Sequence, residues 1–246
     1  MKYTIIFVFL VACSTTLFGQ QPDSDKTALS AVVVPASEEV AAMNFAKSAV
    51  AAHGGEKLRA MKSLVVRGSL DLNVFNQATP ATFVTAISGD KYSFVINSPL
   101  QPLKQVYNGT DTYSSIQGFS LPPVTSLGFP VLQHIGDKGY VVSPLAGDKK
   151  KKNGFRVTTP EGYYTDFFLD EKNSQLKGYE SSYEFQGRLI TTSVEIDKSL
   201  LVDGVLVPEK YSQRFDLGQM TAYAAFKAKQ ILVNSKLDDD VFALEK

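Results

Sequence analysis

Apolar and polar residues alternate with a period of two along most of the chain, which is typical of strands buried on one face only. Between residues 162 and 233 this alternation passes through several turns with no helical segment between them. The pattern predicts a long antiparallel meander with one apolar face. Such a face must be covered. If the chain covers it only with short helices, the uncovered part forms an apolar trough.

Turn-forming pairs divide the alternating segments into strands. Asn108-Gly109, for example, is a strong hairpin signal between two short segments. The spacing of these signals predicts about ten to twelve strands joined by hairpins. The predicted strands cover residues 64–74, 82–87, 92–97, 104–107, 110–117, 140–145, 155–159, 163–169, 176–185, 188–200, 205–215 and 220–233.

One interruption of this pattern predicts an N-terminal helix. Ser37, followed by two glutamates, is typical of a helix start, and Gly54-Gly55 is typical of a helix end. A second short turn over residues 56–61 leads into the sheet. Between these two ends, a roughly helical spacing separates Val40, Met43, Ala46, Lys47 and Val50.

The other interruption covers residues 119–136, where prolines and glycines break an apolar run. It predicts either a short helical lid or an irregular loop packed on the core. The predicted fold class is therefore mainly β with few helices. One antiparallel sheet is covered by an N-terminal helix and a short lid segment.

Apolar residues on the covered face are candidates for a ligand-binding trough. Each is equally suited to an ordinary core position, because both roles require burial. Ala222, Ala224 and Ala228 would leave space beside Phe226, or would let a helix approach closely. The candidates are Leu70, Leu72, Val74, Phe83, Ile87, Phe94, Ile96, Phe167, Leu169, Met220 and Phe226 in the sheet, with Leu127, Phe129 and Leu132 in the lid.

The composition narrows the classes of function. Apolar residues make up 44% of the 246 residues, and 25 basic residues balance 25 acidic ones. Nucleic-acid binding depends on excess positive charge, so no nucleic-acid partner is expected. Tryptophan is absent, and the 16 Phe and 11 Tyr residues supply aromatic side chains that suit strands.

The first 19 residues predict a signal peptide, with a lysine, a short apolar run and then small and polar residues. Residues 10–13 resemble a lipobox, which would make Cys13 the lipidated first residue. Ordinary cleavage near Gly19 is the alternative. Residues 20–36 predict a flexible leader, and residues 37–246 predict a single domain.

Export to the periplasm follows from the signal peptide, with anchoring to the outer membrane if Cys13 is lipidated. No later run reaches the ~20 apolar residues of a membrane span. Contact with a membrane is therefore expected to be peripheral or through the lipid anchor.

Candidate catalytic residues are few and scattered. His53 and His134 are isolated, and His53 is expected at a helix C-terminus, where the dipole favours a partly charged imidazole. Asp166 alternates with Thr165 and Phe167, which predicts a wet position on its strand. Asp238 and the two aspartates after it read as a solvated turn. We predict no catalytic residue, no metal site, no cofactor and no enzyme activity.

Lys149, Lys150, Lys151 and Lys152 form the densest run of charge, at a predicted hairpin tip. A solvated turn that resists aggregation is one interpretation. Contact with anionic lipid headgroups or an acidic partner protein is the other.

Three stretches carry a resemblance to a known family. They are the helix-to-strand segment 53–64, the strand and hairpin segments 89–94 and 106–113, and the tail 233–242. In their order and spacing the chain resembles the LolA/LolB-like lipoprotein-carrier superfamily, including the outer-membrane lipoprotein-sorting proteins.

The resemblance implies an open, strongly curved half-barrel around helices, with an apolar cavity for acyl chains. The expected function is an exported, monomeric carrier for lipid or lipoprotein acyl chains. The alternative is a half-barrel without a ligand that binds an envelope partner protein or senses envelope stress.

Overall fold

The computed structural model describes residues 36–74, 77–99, 101–116, 121–185, 187–216 and 221–244. Cys13, with the rest of the predicted signal peptide, lies outside the described residues, as does almost all of the predicted leader.

Twelve antiparallel strands form one sheet in the described part of the chain. Helices are few: α1 is Ala36–Ala52 and α2 is Glu56–Arg59, and short 3-10 helices cover Phe129–His134, Gly147–Lys151 and Asp239–Phe242. The strands are β1 Ser63–Val74, β2 Gln77–Ser88, β3 Lys91–Asn97, β4 Leu103–Tyr107, β5 Thr112–Ser114, β6 Val141–Ser143, β7 Gly154–Thr158, β8 Tyr164–Leu169, β9 Leu176–Phe185, β10 Arg188–Val202, β11 Val205–Asp216 and β12 Thr221–Val233.

The order of strands confirms the predicted open antiparallel sheet. It runs β5-β4-β3-β2-β1-β12-β11-β10-β9-β8-β7-β6, so β5 and β6 are edges and the sheet is not closed. Two meanders join where β1 pairs with β12, and Leu70 lies opposite Phe226 at this junction. Every predicted strand has a counterpart in this sheet.

Aromatic side chains pack against one another on the inner face of the sheet. They can do so because residues opposite each other on neighbouring strands lie side by side on one face. Phe155 and Phe167 stack at 5.2 Å between ring centroids on β7 and β8. Phe226 on β12 meets Phe83 edge-on at 5.0 Å and stacks on Tyr211 at 4.7 Å. These contacts place the main core on the concave side of the sheet.

Helix α1 packs on β6 and β7 through a face of small residues. Ala42, Ala46, Ala49 and Val50 are buried. The predicted helix is confirmed. Of the residues with helical spacing, Ala46 and Val50 are buried, whereas Lys47 is exposed and Val40 is 61% exposed. Alanines allow the helix to lie close to the strands. The side of α1 that faces the sheet is therefore the side with small residues, not the side with the largest apolar ones.

His53, one residue beyond α1, is buried and neutral rather than partly charged. Burial lowers its pKa, although the hydrogen bond to the Ala49 carbonyl opposes this shift. The Nε2 atom accepts a hydrogen bond from the Leu176 backbone N–H at 3.4 Å, so Nδ1 carries the proton and donates to Ala49 O at 2.8 Å. His53 thus ties α1 to the start of β9.

The outer face of the sheet also carries a cover. Phe242 from the C-terminal 3-10 helix is 4% exposed and packs in a small cluster with Val65, Ala86 and Val106. The strands β1, β2 and β4 are therefore covered on both faces at this place. No described helix combines the length and apolar character needed to cross a membrane.

Candidate ligand-binding cavity

A cavity of about 200 Å³ lies between the inner face of the sheet and residues 121–130, which we call the cover segment. Its wall draws on β1, β2 and β3 and on β9 to β12, so the sheet curves around it. The wall residues are Leu64, Val66, Thr85, Ile87, Phe94, Leu121, Pro122, Val124, Leu127, Phe129, Pro130, Tyr179, Ser181, Tyr183, Thr192, Val207, Pro208, Tyr211, Gln213, Phe215 and Phe226.

Five of the residues predicted for the trough lie in this wall. Ile87, Phe94 and Phe226 come from the sheet, and Leu127 and Phe129 come from the cover segment. The structure brings together residues that are far apart in the sequence because the two meanders meet at β1 and β12.

Most of the other predicted trough residues belong to the solid core. Leu72 and Ile96 pack at its margin. The Val74 side chain and Met220 lie outside the described residues. The fully packed residues, each no more than 5% exposed, are Leu70, Phe83, Leu132, Phe167 and Leu169.

Sequence reasoning missed the polar part of the wall. Tyr179, Ser181 and Tyr183 point inward from β9, and Tyr211 and Gln213 point inward from β11. Their period-two spacing was a signal that could have placed them on one face. The predicted trough contains apolar residues only and therefore leaves them out.

Three phenols in the wall are protonated donors without a partner. Burial raises the pKa of Tyr183 to about 12 and raises the pKa values of Tyr179 and Tyr211 further. The two last phenols are close enough that ionisation of Tyr179 would oppose ionisation of Tyr211. Among the described residues, none of these hydroxyls has a hydrogen-bond partner.

Gln105 on β4 fixes the start of the cover segment. Its side-chain Oε1 accepts a hydrogen bond from Leu121 N–H at 2.7 Å, and its Nε2 donates to Leu121 O at 2.8 Å. Nε2 also donates to the Tyr92 hydroxyl at 2.7 Å. Gln105 is 1% exposed, so one buried amide satisfies both backbone groups of Leu121.

Gly128 fixes the far part of the cover segment. Its N–H donates to Thr165 Oγ1 at 3.1 Å, and that hydroxyl lies 2.9 Å from Ser181 Oγ. Gly128 has φ of +67°, and a Cβ there would lie 2.6 Å from the Tyr179 ring. Only glycine fits this position, because any side chain would strain the backbone and strike the ring.

The 3-10 helix Phe129–His134 continues from the cover segment and is tied to α2. Arg59 Nη2 donates to Ile135 O at 2.6 Å, and Gln133 Nε2 donates to Met61 O at 2.6 Å. The predicted lid is thus an irregular segment followed by a 3-10 helix. His134 lies outside the wall, where it stacks on Tyr140 at 5.0 Å.

The lysine run lies on the outer face, where Lys149 covers a buried carboxylate. Asp166 is fully buried, and its carboxylate accepts three hydrogen bonds. Arg156 donates from Nε at 2.6 Å and from Nη2 at 2.9 Å, and Lys149 donates from Nζ at 3.0 Å. Lys149 also contacts Glu180. The outward direction of Asp166 was predicted correctly, but its wet environment was wrong, because the 3-10 helix Gly147–Lys151 covers it.

The four lysines have different surroundings. Burial alone would lower the Lys149 pKa, but hydrogen bonds to Glu180 and Asp166 raise it overall, so the ammonium stays charged. Lys152 Nζ lies 4.7 Å from the Phe168 ring centroid. The side chains of Lys150 and Lys151 lie outside the described residues. Lys149 is therefore part of the fold rather than a solvated turn residue.

The described residues of the cavity wall offer hydrogen bonding and apolar burial. No group of three or more metal-binding side chains is close enough to hold an ion in the described part of the chain. Glu161 and Glu171 are exposed in turns, away from Asp166 in its ion cluster. The wall of the cavity contains no carboxylate, imidazole or ammonium among its described residues.

No family model matches the chain, and no curated protein matches its sequence. Among solved structures, the LolA superfamily protein NE2245 from Nitrosomonas europaea matches with a TM-score of 0.50 and 13% identity. The match covers 79% of this chain and 97% of that one.

Two further solved structures have lower scores. A DUF1329 family protein from Desulfovibrio piger matches with a TM-score of 0.49 and 11% identity, over 82% of this chain and 97% of that one. A putative outer membrane lipoprotein-sorting protein domain from Vibrio parahaemolyticus matches with a TM-score of 0.47 and 10% identity, over 82% and 95%. The likeness to NE2245 concerns the fold: the chain has a LolA-like fold, as its sequence predicts.

Proposed function

We propose that this protein is an exported carrier or binding protein for lipid or lipoprotein acyl chains in the bacterial cell envelope. It holds the chain non-covalently in the cavity under the cover segment. The observation that carries the proposal is a half-open, mostly apolar cavity in a LolA-like fold. No reaction is needed for this role.

Burial of apolar surface supplies the affinity. Removal of apolar area from water contributes ~25 cal/mol per Å², and each buried methylene contributes ~0.8 kcal/mol. A cavity of roughly 150 Å³ in another protein holds a benzene molecule. The cavity here, about 200 Å³, therefore accepts a short apolar group without rearrangement.

A long acyl chain needs a larger cavity than this one. We propose that the middle of the cover segment moves away from the sheet to admit it. Residues 122–127 have one internal hydrogen bond, from Ser126 N–H to Pro123 O at 2.9 Å. Among the described residues, no hydrogen bond joins 122–127 to the sheet, whereas Leu121 and Gly128 are tied to it. The segment can therefore lift between two fixed ends.

The proposed carrier works in the periplasm as a monomer. Residues 1–19 act as its signal peptide, residues 37–246 form its single domain, and lipidation of Cys13 would attach it to the outer membrane. Lys152 remains a candidate contact for anionic headgroups, together with Lys150 and Lys151. Mass spectrometry of the mature N-terminus tests the lipidation, because unmodified Gln20 or Gln21 at that terminus contradicts it.

The test of the function compares two threonines on opposite faces of β2. Thr85 lies in the wall, and Thr82 is exposed on the outer face. Thr85→Phe fills the cavity, so binding of a fluorescent long-chain ester should weaken by at least about 10-fold, which corresponds to ~1.4 kcal/mol. Thr82→Phe should bind as the wild type does.

The same protein, purified from cells, is extracted and its lipids are identified by mass spectrometry. Copurified acyl lipid that is lost in Thr85→Phe supports the carrier. An empty wild-type protein that also fails to take up the ester contradicts it and favours the alternative, a half-barrel that binds an envelope partner protein.

A further inference from the structure

We propose that the cavity selects ligands whose buried end carries an uncharged hydrogen-bond acceptor, such as an ester or ketone carbonyl. Ligands that would bring an ionised carboxylate or phosphate into the cavity are excluded. The proposal rests on the proposed function and names the class of ligand for the same site.

The donors for such an acceptor are the phenols of Tyr179, Tyr183 and Tyr211. All three lie in the wall, and Tyr183 is only 7% exposed. Among the described residues these hydroxyls have no hydrogen-bond partner, and they border the space of the cavity instead of being sealed in the core. A carbonyl oxygen inside the cavity would supply the missing acceptor.

Packing of the tyrosine rings restricts the positions that their hydroxyl groups can take. Tyr211 is held by stacking on Phe226, with 4.7 Å between the ring centroids. Tyr179 packs on Phe167 at 6.1 Å and closely against Gly128. Because the rings are fixed by their neighbours, the phenols are positioned before a ligand arrives, which lowers the entropy cost of binding.

The wall offers nothing to neutralise a charged ligand. Its described members include no lysine, arginine or histidine. The polar residues besides the tyrosines are neutral: Thr85, Ser181, Thr192 and Gln213. Burying an ion without a partner is far more costly than burying a hydrogen-bonded neutral group. Lys149 and Arg156 are engaged by Asp166, on the opposite face of the sheet.

The environment of the three tyrosines also disfavours a negative charge in the cavity. Burial, the first cause in each case, raises all three pKa values, so the same environment that opposes phenolate would oppose a carboxylate. The hydroxyls stay protonated at neutral pH and remain donors.

The experiment uses three ligands of equal chain length: a long-chain alkane, the methyl ester and the free acid. Their affinities for the full-length wild-type protein are measured by displacement of a neutral fluorescent probe at about pH 8. We expect the ester to bind about 3- to 10-fold more tightly than the alkane, the effect of one neutral hydrogen bond. The acid should bind more weakly than the ester and gain affinity as the pH falls towards the carboxyl pKa.

Phenylalanine variants identify the donors. Tyr183→Phe and Tyr211→Phe should each reduce the ester-to-alkane ratio of affinities while alkane binding persists. Their unfolding midpoints should not fall, because the lost hydroxyl has no partner in the described protein. Tyr223→Phe is the matched control, since Tyr223 lies on β12 and is 52% exposed on the outer face.

Several results would overturn the inference. An acid that binds as tightly as the ester at pH 8, or a ratio unchanged in both variants, contradicts it while leaving the carrier proposal intact. If none of the three ligands displaces the probe from the wild type, the proposed function fails and this inference fails with it.

Discussion

His53 lies at a junction of three elements, and its environment sets its protonation. Its ring accepts a hydrogen bond from Leu176 N–H, and its backbone carbonyl accepts one from Leu206 N–H at 3.2 Å. A charged imidazole here would lose the first of these bonds and would be buried without a counter-charge. The folded protein therefore holds this histidine neutral.

The free energy of unfolding should depend on pH because of His53. The folded-state pKa of His53 lies below its usual value of about 6.5, so the unfolded chain binds the proton first as pH falls. The free energy of unfolding should therefore be fully retained above about pH 6.5 and decrease below it, by up to ~1.4 kcal/mol per pH unit. Urea unfolding between pH 7 and pH 5 measures this slope.

Two histidine variants separate His53 from other groups. The slope should largely disappear in His53→Gln, even if that variant is less stable at pH 7. It should persist in His134→Gln, which alters the surface histidine beside Asp137. A slope that is unchanged in His53→Gln would contradict the assignment.

The cover segment is the element on which access to the cavity depends. It has no regular hydrogen bonding of its own between Pro122 and Leu127, so its position is determined by its ends. Gln105 holds one end through both backbone groups of Leu121, and Thr165 holds the other through Gly128. Loosening either end should change the rate of ligand exchange more than the shape of the wall.

Gln105→Met should release the first end while preserving the volume of the side chain. The two hydrogen bonds between Leu121 and the Gln105 amide are then lost, which costs roughly 1–3 kcal/mol. Local opening of the cover segment should rise by about 10-fold or more. Hydrogen exchange at Leu121 and the dissociation rate of the fluorescent ester measure the two effects.

The control for this variant is Gln230→Met, because Gln230 is exposed on β12. It should leave exchange at Leu121 and the dissociation rate unchanged. Equal rates in wild type and Gln105→Met would show that the cover segment opens by another route.

In the molecule as a whole, the two faces of the sheet carry different structural features. The inner face holds the main core and the cavity, and the outer face holds the ion cluster around Asp166 and the C-terminal cluster around Phe242. The outer contacts add stability without contributing to the wall. Stability and ligand affinity should therefore respond to different substitutions.

Phe242→Ala tests this separation. Loss of a buried phenylalanine costs about 3 kcal/mol, because it removes apolar contacts and leaves a cavity. The urea midpoint should fall accordingly, while the affinity for the fluorescent ester should be unchanged under conditions where the protein stays folded. Leu201→Ala, at a site 66% exposed, should change neither quantity. A loss of affinity in Phe242→Ala would show that the faces are coupled.

Much of the fold was predictable because period-two alternation is a local property of the chain. The segments around Leu64, Tyr164 and Val205 alternate strongly, and turn pairs such as Asn108-Gly109 mark their limits, so all twelve strands were found. The sequence pattern did not indicate which side of α1 packs on the sheet: Val40 is exposed, and alanines make the contact. An alanine face gives little contrast in hydrophobicity along a sequence.

The site was predictable only in part. Ile87, Phe94, Leu127, Phe129 and Phe226 are in the wall, as predicted for the trough, whereas Leu70, Phe83 and Phe167 fill the core. Both groups have the same residue types and the same alternation. Nothing local distinguishes them, because a cavity is a volume left between elements and not a property of one strand.

Local patterns along the chain were enough to specify the strands, their turns, the open antiparallel sheet and the apolar character of its inner face. These follow from short-range patterns of side chains and from the need to bury apolar surface. Three-dimensional packing was needed to show that Asp166 is buried, that Gln105 holds the cover segment, and that three phenols line one cavity. Each of these depends on distances between residues far apart in the chain, which packing of the whole sheet sets.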